Sequence, residues 1–282
     1  MSQNVLVVHG GGPTAVINAS LYGVIEEAKR NPEVGKVYGA IGGTGAIFSE
    51  TFIDLTSFDD EKLKLLLHTP ASAIGSSRYP LYEKDYEKMV DIFKKHDIKY
   101  VLLNGGNGTM DACGHIYEVC KDQDIKVVGI PKTIDNDIYG TDMTFGFQSA
   151  VDIATNAIDC IHTTAASHGR VFIVELMGHK VGWLTLHAGI AGGADIILLP
   201  EMPYNFDAVL MAVKQRNKAG KRFSILAVAE GAISQEDAQL SKKEYQKKKA
   251  NSPFPSVSYE LGKRIQDALG QEVRIVVPGH TQ

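Results

Sequence analysis

GIPKTIDND, residues 129–137, is the most informative segment of this chain. It overlaps the end of a mostly apolar run, residues 125–130, which the pattern predicts to be a buried strand. Two carboxylates, Asp135 and Asp137, therefore follow the carboxyl end of a strand, which is where open α/β sheets bind their ligands. One carboxylate there can take a proton from a substrate hydroxyl, and a second can hold a magnesium ion. The alternative is a plain loop in which an aspartate caps a helix.

Two glycine-rich turns follow other predicted strands. The strand at residues 5–9 runs into glycines 10–12, and the strand at residues 101–104 runs into GGNG at residues 105–108. A helical pattern follows each turn. Glycines let backbone N–H groups approach an anion, and a helix N-terminus adds partial positive charge. Each turn alone could be a tight turn that needs positive φ. Together with the acidic loop, the two turns indicate one site for a polyphosphate, a metal ion and a phosphorylated acceptor.

Strands alternate with helices along the whole chain, which predicts an α/β fold with two Rossmann-like lobes, mainly parallel sheets and helices on both faces. Further strands are expected at residues 37–41, 171–175, 195–199, 224–229 and 273–277. Further helices are expected at residues 144–163, 206–218 and 259–269. We expect the lobes to divide just after the acidic loop, into residues 1–142 and 143–282.

Composition narrows the class of protein. The chain has 282 residues, 44% of them apolar, and a net charge of −4, so it has no bulk attraction to nucleic acid. It shows no signal peptide and no run of about 18 apolar residues, so we expect no membrane segment and a cytoplasmic enzyme. Its three cysteines lack metal-ligand spacing and are expected to be reduced thiols.

The order of the motifs resembles the phosphofructokinase family over essentially the whole chain. The matching stretches are GGGPTAVIN (10–18), GSSRYP (75–80), GGNGT (105–109), PKTIDND (131–137), TFGF (144–147), VELMGH (174–179), PE (200–201), AEG (229–231) and PGHTQ (278–282). Each stretch alone is modest evidence, and their joint order is specific. The resemblance implies a cytoplasmic glycolytic kinase that phosphorylates the C1 hydroxyl of fructose 6-phosphate, with Mg²⁺ and with ATP or pyrophosphate as donor.

The resemblance also implies roles for single residues. Asp135 matches the general base, and Arg78 matches an arginine that clamps the donor phosphates. Thr133 matches a contact to the sugar or the moving phosphoryl group, and Lys132 can stabilise its charge. Asp137 matches a residue near the magnesium ion, with Asn107 as its neighbour in the metal site.

Two groups of residues match the ligand pockets of the family. The donor pocket, in the lobe 1–142, would use Gly11, Arg78, Tyr79, Gly105, Gly106, Asn107, Gly108 and Thr109. The sugar-phosphate pocket, in the lobe 143–282, would use Arg170, Met177, Gly178, His179, Glu230, Arg274 and His280, together with Thr133 and Asp135. In the family the counterpart of Arg170 comes from a neighbouring subunit, which implies a homo-oligomer, a dimer or a tetramer.

Three positions depart from the family pattern. Asn107 stands where many relatives have a magnesium-binding aspartate, and a neutral amide is a weaker ligand for a hard cation. His179 replaces a common arginine, so its contact with phosphate is expected to depend on pH. The chain ends at Gln282, whereas relatives continue into an arginine and glycines that complete the sugar-phosphate loop. We therefore expect a shortened chain.

Two positions bear on the donor. Gly108 leaves room for the α-phosphate of ATP, where an aspartate would fill the space and repel the charge. Lys132 instead favours pyrophosphate as donor, because a lysine at this position accompanies pyrophosphate-dependent enzymes. A steric and charge block is harder to bypass than an added cation, so we expect ATP and keep pyrophosphate as the alternative.

Two other functions compete with a kinase. GGGPTA formally fits the dinucleotide-binding pattern G-x-G-x-x-A, but the next strand, residues 37–41, is followed by two glycines and lacks the acidic residue that a dehydrogenase needs at its end. A regulatory relative that binds sugar phosphate and turns it over poorly stays open, because Asn107 and His179 weaken the expected metal and phosphate contacts.

Overall fold

The computed structural model describes residues 3–282. The chain forms two compact units, each with its own sheet. The first unit extends to Thr133 and includes Asp137–Gly146, and the second comprises Ile134–Asn136 and Phe147–Gln282. The division at residue 142 and the roles expected of the two lobes stay predictions.

The first unit is built on a six-stranded sheet. Its strands are β1 (Gln3–His9), β2 (Val34–Ala40), β3 (Phe52–Asp54), β4 (Ile98–Gly105), β5 (Lys126–Thr133) and β6 (Phe145–Gly146). Its α-helices are α1 (Ile17–Arg30), α2 (Gly45–Phe48), α3 (Asp60–Lys64), α4 (Glu83–Lys95) and α5 (Asn107–Cys120), with 3-10 turns at Leu55–Ser57 and Leu65–His68. The strand order is β3-β2-β1-β4-β5-β6, and only β2 and β3 pair antiparallel.

Helices cover both faces of this sheet. Strand β1 has apolar side chains on both sides, and each side is buried against helices. Leu6 and Val8 point into a core that also contains residues of α4 and α5. Val5 and Val7 point into a second core that contains residues of α1. A strand whose side chains are buried on alternate faces is typical of a parallel sheet in an α/β protein.

The second unit is built on a four-stranded parallel sheet. Its strands are β7 (Val171–Leu176), β8 (Ile196–Leu198), β9 (Ser224–Ala229) and β10 (Val273–Val276), in the order β10-β7-β9-β8. Its helices are α6 (Phe147–His168), α7 (Trp183–Ala191), α8 (Phe206–Lys218), α9 (Gln235–Ala238), α10 (Lys242–Ala250) and α11 (Val257–Leu269), with a 3-10 turn at Gly279–Thr281.

The second sheet is also sandwiched between helices. Phe172 and Val174 of β7 pack in a core with α6 and α7. Val171 and Ile173 pack in a core with α8 and α11. The structure therefore confirms the predicted α/β class with mainly parallel sheets and helices on both faces. Within residues 3–282 no helix combines the length and the apolar character that crossing a bilayer requires.

Element bounds differ from the sequence prediction at the start of the second unit. The helix expected from residue 144 begins at Phe147, because residues 145 and 146 instead pair with the end of β5 as the short strand β6. Gly146 has φ of 102°, which no helix accommodates. The helix then continues to His168. By contrast, β9 and α8 have the predicted bounds.

We expect the core of the second unit to be sensitive to truncation at Ile158 of α6, which is fully buried. Replacing Ile158 by alanine should lower the free energy of unfolding by about 2–5 kcal/mol, because methyl groups are removed and a cavity remains. Ile190 is 67% exposed on α7 of the same unit, and Ile190→Ala should change stability by less than about 0.5 kcal/mol. Urea denaturation of both variants measures the difference. Equal losses would contradict the described packing.

Candidate active site

The first glycine turn lies at the carboxyl ends of the neighbouring strands β1 and β4. Gly10 N–H donates to Asn104 O over 2.9 Å, which joins the turn to the end of β4. Gly11 N–H donates to Ser77 O over 3.1 Å. Gly11 has φ of 74°, a conformation that glycine adopts without steric cost. The turn is therefore anchored on two sides, through the backbone N–H groups of Gly10 and Gly11.

The second glycine turn packs against the first through Thr109. A Cβ atom on either Gly10 or Gly105 would collide with Thr109 Oγ1, so both positions need glycine. α5 begins directly after Gly106, and no side chain caps its first backbone N–H groups. A Cβ atom on Gly108 would meet no protein atom within 4 Å. This helix start suits a phosphate group because its N–H groups and its partial positive charge are unobstructed.

The end of β5 and the acidic loop that follows it contact both turns. Lys132 Nζ donates to Gly12 O of the first turn. Asn107 Nδ2, at the start of α5, donates to Asp137 Oδ2 over 2.7 Å. Thr133 is the last residue of β5 and immediately precedes this loop. The first unit alone thus joins both glycine turns to the acidic loop at one edge of its sheet, as the sequence predicts.

Asp135, the predicted general base, lies in the segment Ile134–Asn136 of the second unit. Ile134 packs against the core that contains α6 and α7. Asn136 has φ of 55°, in the left-handed region that asparagine tolerates better than most residues. Asp135 itself is half-buried. The residue before this carboxylate is therefore held by apolar packing, and the residue after it has a left-handed backbone conformation.

Lys132 lies beneath the first glycine turn and is 3% exposed. Its charge acts on His9, the last residue of β1, which is fully buried. Ser72 Oγ donates to Gly75 O over 2.8 Å, so the 2.7 Å contact between His9 Nδ1 and Ser72 Oγ makes Nδ1 the donor. Burial and the charge of Lys132 lower the pKa of His9 to about 4. The buried groups next to the first glycine turn are therefore the charged ammonium of Lys132 and the neutral imidazole of His9.

Arg78 and Tyr79 follow a segment that is tied to the first glycine turn. Ser76 Oγ donates to Gly11 O over 2.6 Å. Both Arg78 and Tyr79 are exposed, and the Tyr79 ring packs against Phe48 with 5.9 Å between centroids. Arg78, the predicted phosphate clamp, is therefore an exposed residue that lies close in the chain to a contact with the first glycine turn.

Five of the predicted sugar-phosphate residues lie together at the carboxyl ends of the second sheet. A cavity of about 130 Å³ opens there, lined by Glu175, Leu176, Met177, Glu230, Val277, Gly279 and His280. Glu230 Oε1 accepts hydrogen bonds from Gly178 N–H over 3.2 Å and from His179 N–H over 2.7 Å. A Cβ atom on Gly231 would collide with His179 O, so these two loops touch directly. The cavity is thus lined by two carboxylates, a thioether and an imidazole.

The two predicted arginines of this pocket lie elsewhere in the unit. Arg170 precedes β7, whereas Met177 follows it, so β7 separates them by about 20 Å along the strand. Arg170 and Arg274 each form an ion pair with Glu272, one arginine on each carboxylate oxygen. The single chain therefore does not bring these arginines to its own cavity.

Glu175 is a wall residue that the sequence analysis did not single out. It is buried at the end of β7, where its carboxylate accepts hydrogen bonds from Ser256 Oγ and from Ser258 N–H over 3.3 Å. It therefore caps the start of α11. The sequence does contain a signal for this role, because a glutamate in the otherwise apolar strand VFIVEL needs a buried hydrogen-bond partner.

His9 makes stability depend on pH. Its folded pKa of about 4 lies below the usual 6.5, so between these values the unfolded chain binds a proton that the folded chain does not. We expect stability to fall by up to about 3 kcal/mol from this group as pH drops through that window. His9→Gln should have a flatter profile in urea unfolding between pH 6.5 and 4. Parallel profiles for the two proteins would contradict the buried neutral imidazole.

Comparisons with known proteins identify the family of this chain. A model of the phosphofructokinase family matches residues 4–282. The chain is 38% identical to an ATP-dependent 6-phosphofructokinase of Spirochaeta thermophila, over 98% of this chain and 76% of the relative. It is 34% identical to an ATP-dependent 6-phosphofructokinase of Corynebacterium efficiens, over 100% of this chain and 80% of the relative. A pyrophosphate-dependent phosphofructokinase structure from Nitrosospira multiformis is similar with a TM-score of 0.86 and 28% identity, covering 100% of this chain and 70% of that one. The chain therefore belongs to the phosphofructokinase family.

Proposed function

We propose that this protein transfers the terminal phosphoryl group of ATP to the C1 hydroxyl of fructose 6-phosphate, giving fructose 1,6-bisphosphate in glycolysis. The observation that carries the proposal is the meeting of two glycine turns and the acidic loop at one edge of the first sheet. The curated relatives named ATP-dependent support ATP as donor. Pyrophosphate is the alternative donor. A lysine at the position of Lys132 accompanies pyrophosphate-dependent enzymes, and the similar structure from Nitrosospira multiformis is named as a pyrophosphate-dependent phosphofructokinase.

The phosphate chain of the donor lies against the glycine turns and binds the backbone N–H groups at the uncapped start of α5. Gly11, Gly105, Gly106, Gly108 and Thr109 supply the backbone or the space for it. The Arg78 guanidinium grips the phosphate oxygens, and its planar fork suits a charge that spreads over them. The exposed Tyr79 ring forms part of the same pocket.

Mg²⁺ fits the donor set formed by Asp137 and Asn107. Their hydrogen bond of 2.7 Å keeps a carboxylate and a side-chain amide side by side. Within residues 3–282 no three His, Cys, Asp or Glu side chains form a metal cage. Magnesium commonly binds through one or two protein oxygens plus substrate phosphates and water. When bound, the ion would neutralise charge on the donor phosphates.

The acceptor sugar phosphate binds the cavity of the second unit. Met177, Glu230 and His280 line it, and the backbone N–H groups of Gly178 and His179 hold the Glu230 carboxylate. Arg170 and Arg274 serve the pocket of a neighbouring subunit, which is consistent with their ion pairs to Glu272 away from the cavity. We therefore propose a homo-oligomer, a dimer or a tetramer. The cytoplasmic location expected from the sequence stays a prediction.

The reaction is an in-line displacement. The Asp135 carboxylate takes the proton of the C1 hydroxyl as the new oxygen–phosphorus bond forms, and the bond between the moving phosphorus and its leaving oxygen breaks. Thr133 contacts the transferred group, and Arg78 balances the charge that develops on it. Lys132 adds positive potential from beneath the glycine turn, where its ammonium contacts Gly12 O.

Asp135→Ser tests the general base. We expect kcat to fall by at least about 100-fold, with the KM for fructose 6-phosphate within about twofold of wild type. Asp122→Ser removes an exposed carboxylate of the first unit and should leave both constants unchanged. Steady-state kinetics with a coupled assay measure them. A near-normal kcat for Asp135→Ser would remove Asp135 from the role, and fructose 6-phosphate binding without turnover in the wild type would favour a regulatory relative.

Gly108→Asp tests the donor. We expect the wild type to use ATP in preference to pyrophosphate, and Gly108→Asp to lower kcat/KM for ATP by about 100-fold while sparing pyrophosphate, because the new carboxylate faces the α-phosphate. The matched control is Gly114→Asp on the same helix, where a Cβ atom also meets nothing within 4 Å. An equal loss with both donors would contradict the steric explanation, and a wild type inactive with both would contradict the proposed function.

A further inference from the structure

The loop that carries Arg78 has little regular structure of its own. Residues 69–78, here called the Arg78 loop, contain no helix or strand, and Ser77 forms an isolated bridge to Gly10. Ala71 within the loop has φ of 62°, which is costly for a residue with a Cβ atom. A loop of this kind keeps one conformation only if other parts of the chain hold it.

Asn18 holds the start of this loop. It lies in the first turn of α1 and is 1% exposed. Its Nδ2 donates to Thr69 O over 2.8 Å and to Ala71 O over 2.7 Å, while its Oδ1 accepts from Ala73 N–H over 2.8 Å. The side chain thus satisfies three backbone groups of the loop, including the carbonyl of the residue with positive φ. Removing it would take away the side-chain partner of three part-buried backbone groups in this loop.

The end of the loop is held by the first glycine turn. Ser76 Oγ donates to Gly11 O over 2.6 Å, and Gly11 N–H donates to Ser77 O over 3.1 Å. Arg78 is the next residue. Because α1 begins five residues after Gly12, Asn18 and the glycine turn belong to one short strand–turn–helix unit. The same unit therefore supports both the backbone that faces the donor phosphates and the loop that presents the arginine.

We propose that Asn18 is a positioning residue for phosphoryl transfer, which fixes the Arg78 loop so that the guanidinium meets the phosphates on the glycine turn. This rests on the proposed function, since it takes Arg78 as the donor clamp. Asn18 touches neither substrate, and it acts only through Arg78. A misplacement of about 1 Å in such a clamp is enough to lower a rate by up to about 100-fold.

A double-mutant cycle tests the proposal. Asn18→Ala should lower kcat by about 10- to 100-fold and leave the KM for fructose 6-phosphate unchanged. In the Arg78→Ala background the same substitution should lower kcat by less than about twofold, because the clamp is already lost. Asn18→Asp keeps the size and the acceptor but loses the two donors, and it enters the same cycle if the alanine variant does not fold.

Asn4 is the matched control. It is 8% exposed at the opposite end of β1, and it also bridges two backbone groups, donating to His96 O over 2.8 Å and accepting from Lys36 N–H over 2.9 Å. Asn4→Ala should lower the melting temperature as much as Asn18→Ala and leave kcat unchanged. An unaltered kcat in the Asn18 variants, or an equal loss with and without Arg78, would overturn the proposal. A normal kcat in Arg78→Ala would overturn the clamp and this inference with it, and an inactive wild type would overturn the proposed function itself.

Discussion

Close backbone approach between the two glycine turns is the constraint on which the proposed donor site of this protein depends. Thr109 Oγ1 occupies the space that a Cβ atom on Gly10 or Gly105 would need. With the turns this close, the start of α5, the end of β1 and the loop after β5 all reach the same edge of the sheet. A binding surface made mainly of backbone can then face a polyphosphate without any side chain in the way.

The charges around that surface are arranged before a ligand arrives. Lys132 is buried under the turn, His9 beside it is kept neutral, and Asn107 holds the Asp137 carboxylate through a neutral donor. A polar environment that is already oriented needs little rearrangement when charge moves in the reaction. The neutral Asn107, which the sequence presents as a weaker metal ligand, also orients the carboxylate beside it.

The sequence predicts the elements well where patterns are local, and poorly where partners are distant. β9 and α8 have their predicted bounds because both have clear ends: β9 is a short buried run that stops before Glu230, and α8 is a 13-residue helix whose start is capped by the Asn205 side chain. The glycine turns and the acidic loop also come together as predicted, because strand ends in a parallel sheet share an edge. The contacts of Asn18 with a loop 51 to 55 residues away, and of Lys132 with Gly12 120 residues away, follow from the tertiary path and leave no local pattern. The ion pair between Arg170 and Glu272 could not be predicted from the sequence either, because it joins positions 102 residues apart.

The carboxylate shared by Arg170 and Arg274 has a consequence for selectivity. Two guanidinium groups and one internal anion leave a single net positive charge on this cluster. The electrostatic attraction to such a cluster is stronger for a doubly charged phosphate than for a singly charged group, and an uncharged sugar has no such attraction. An oligomer that delivers this cluster to a neighbour's cavity would therefore distinguish phosphorylated from unphosphorylated sugars by valence, in addition to the shape of the cavity wall.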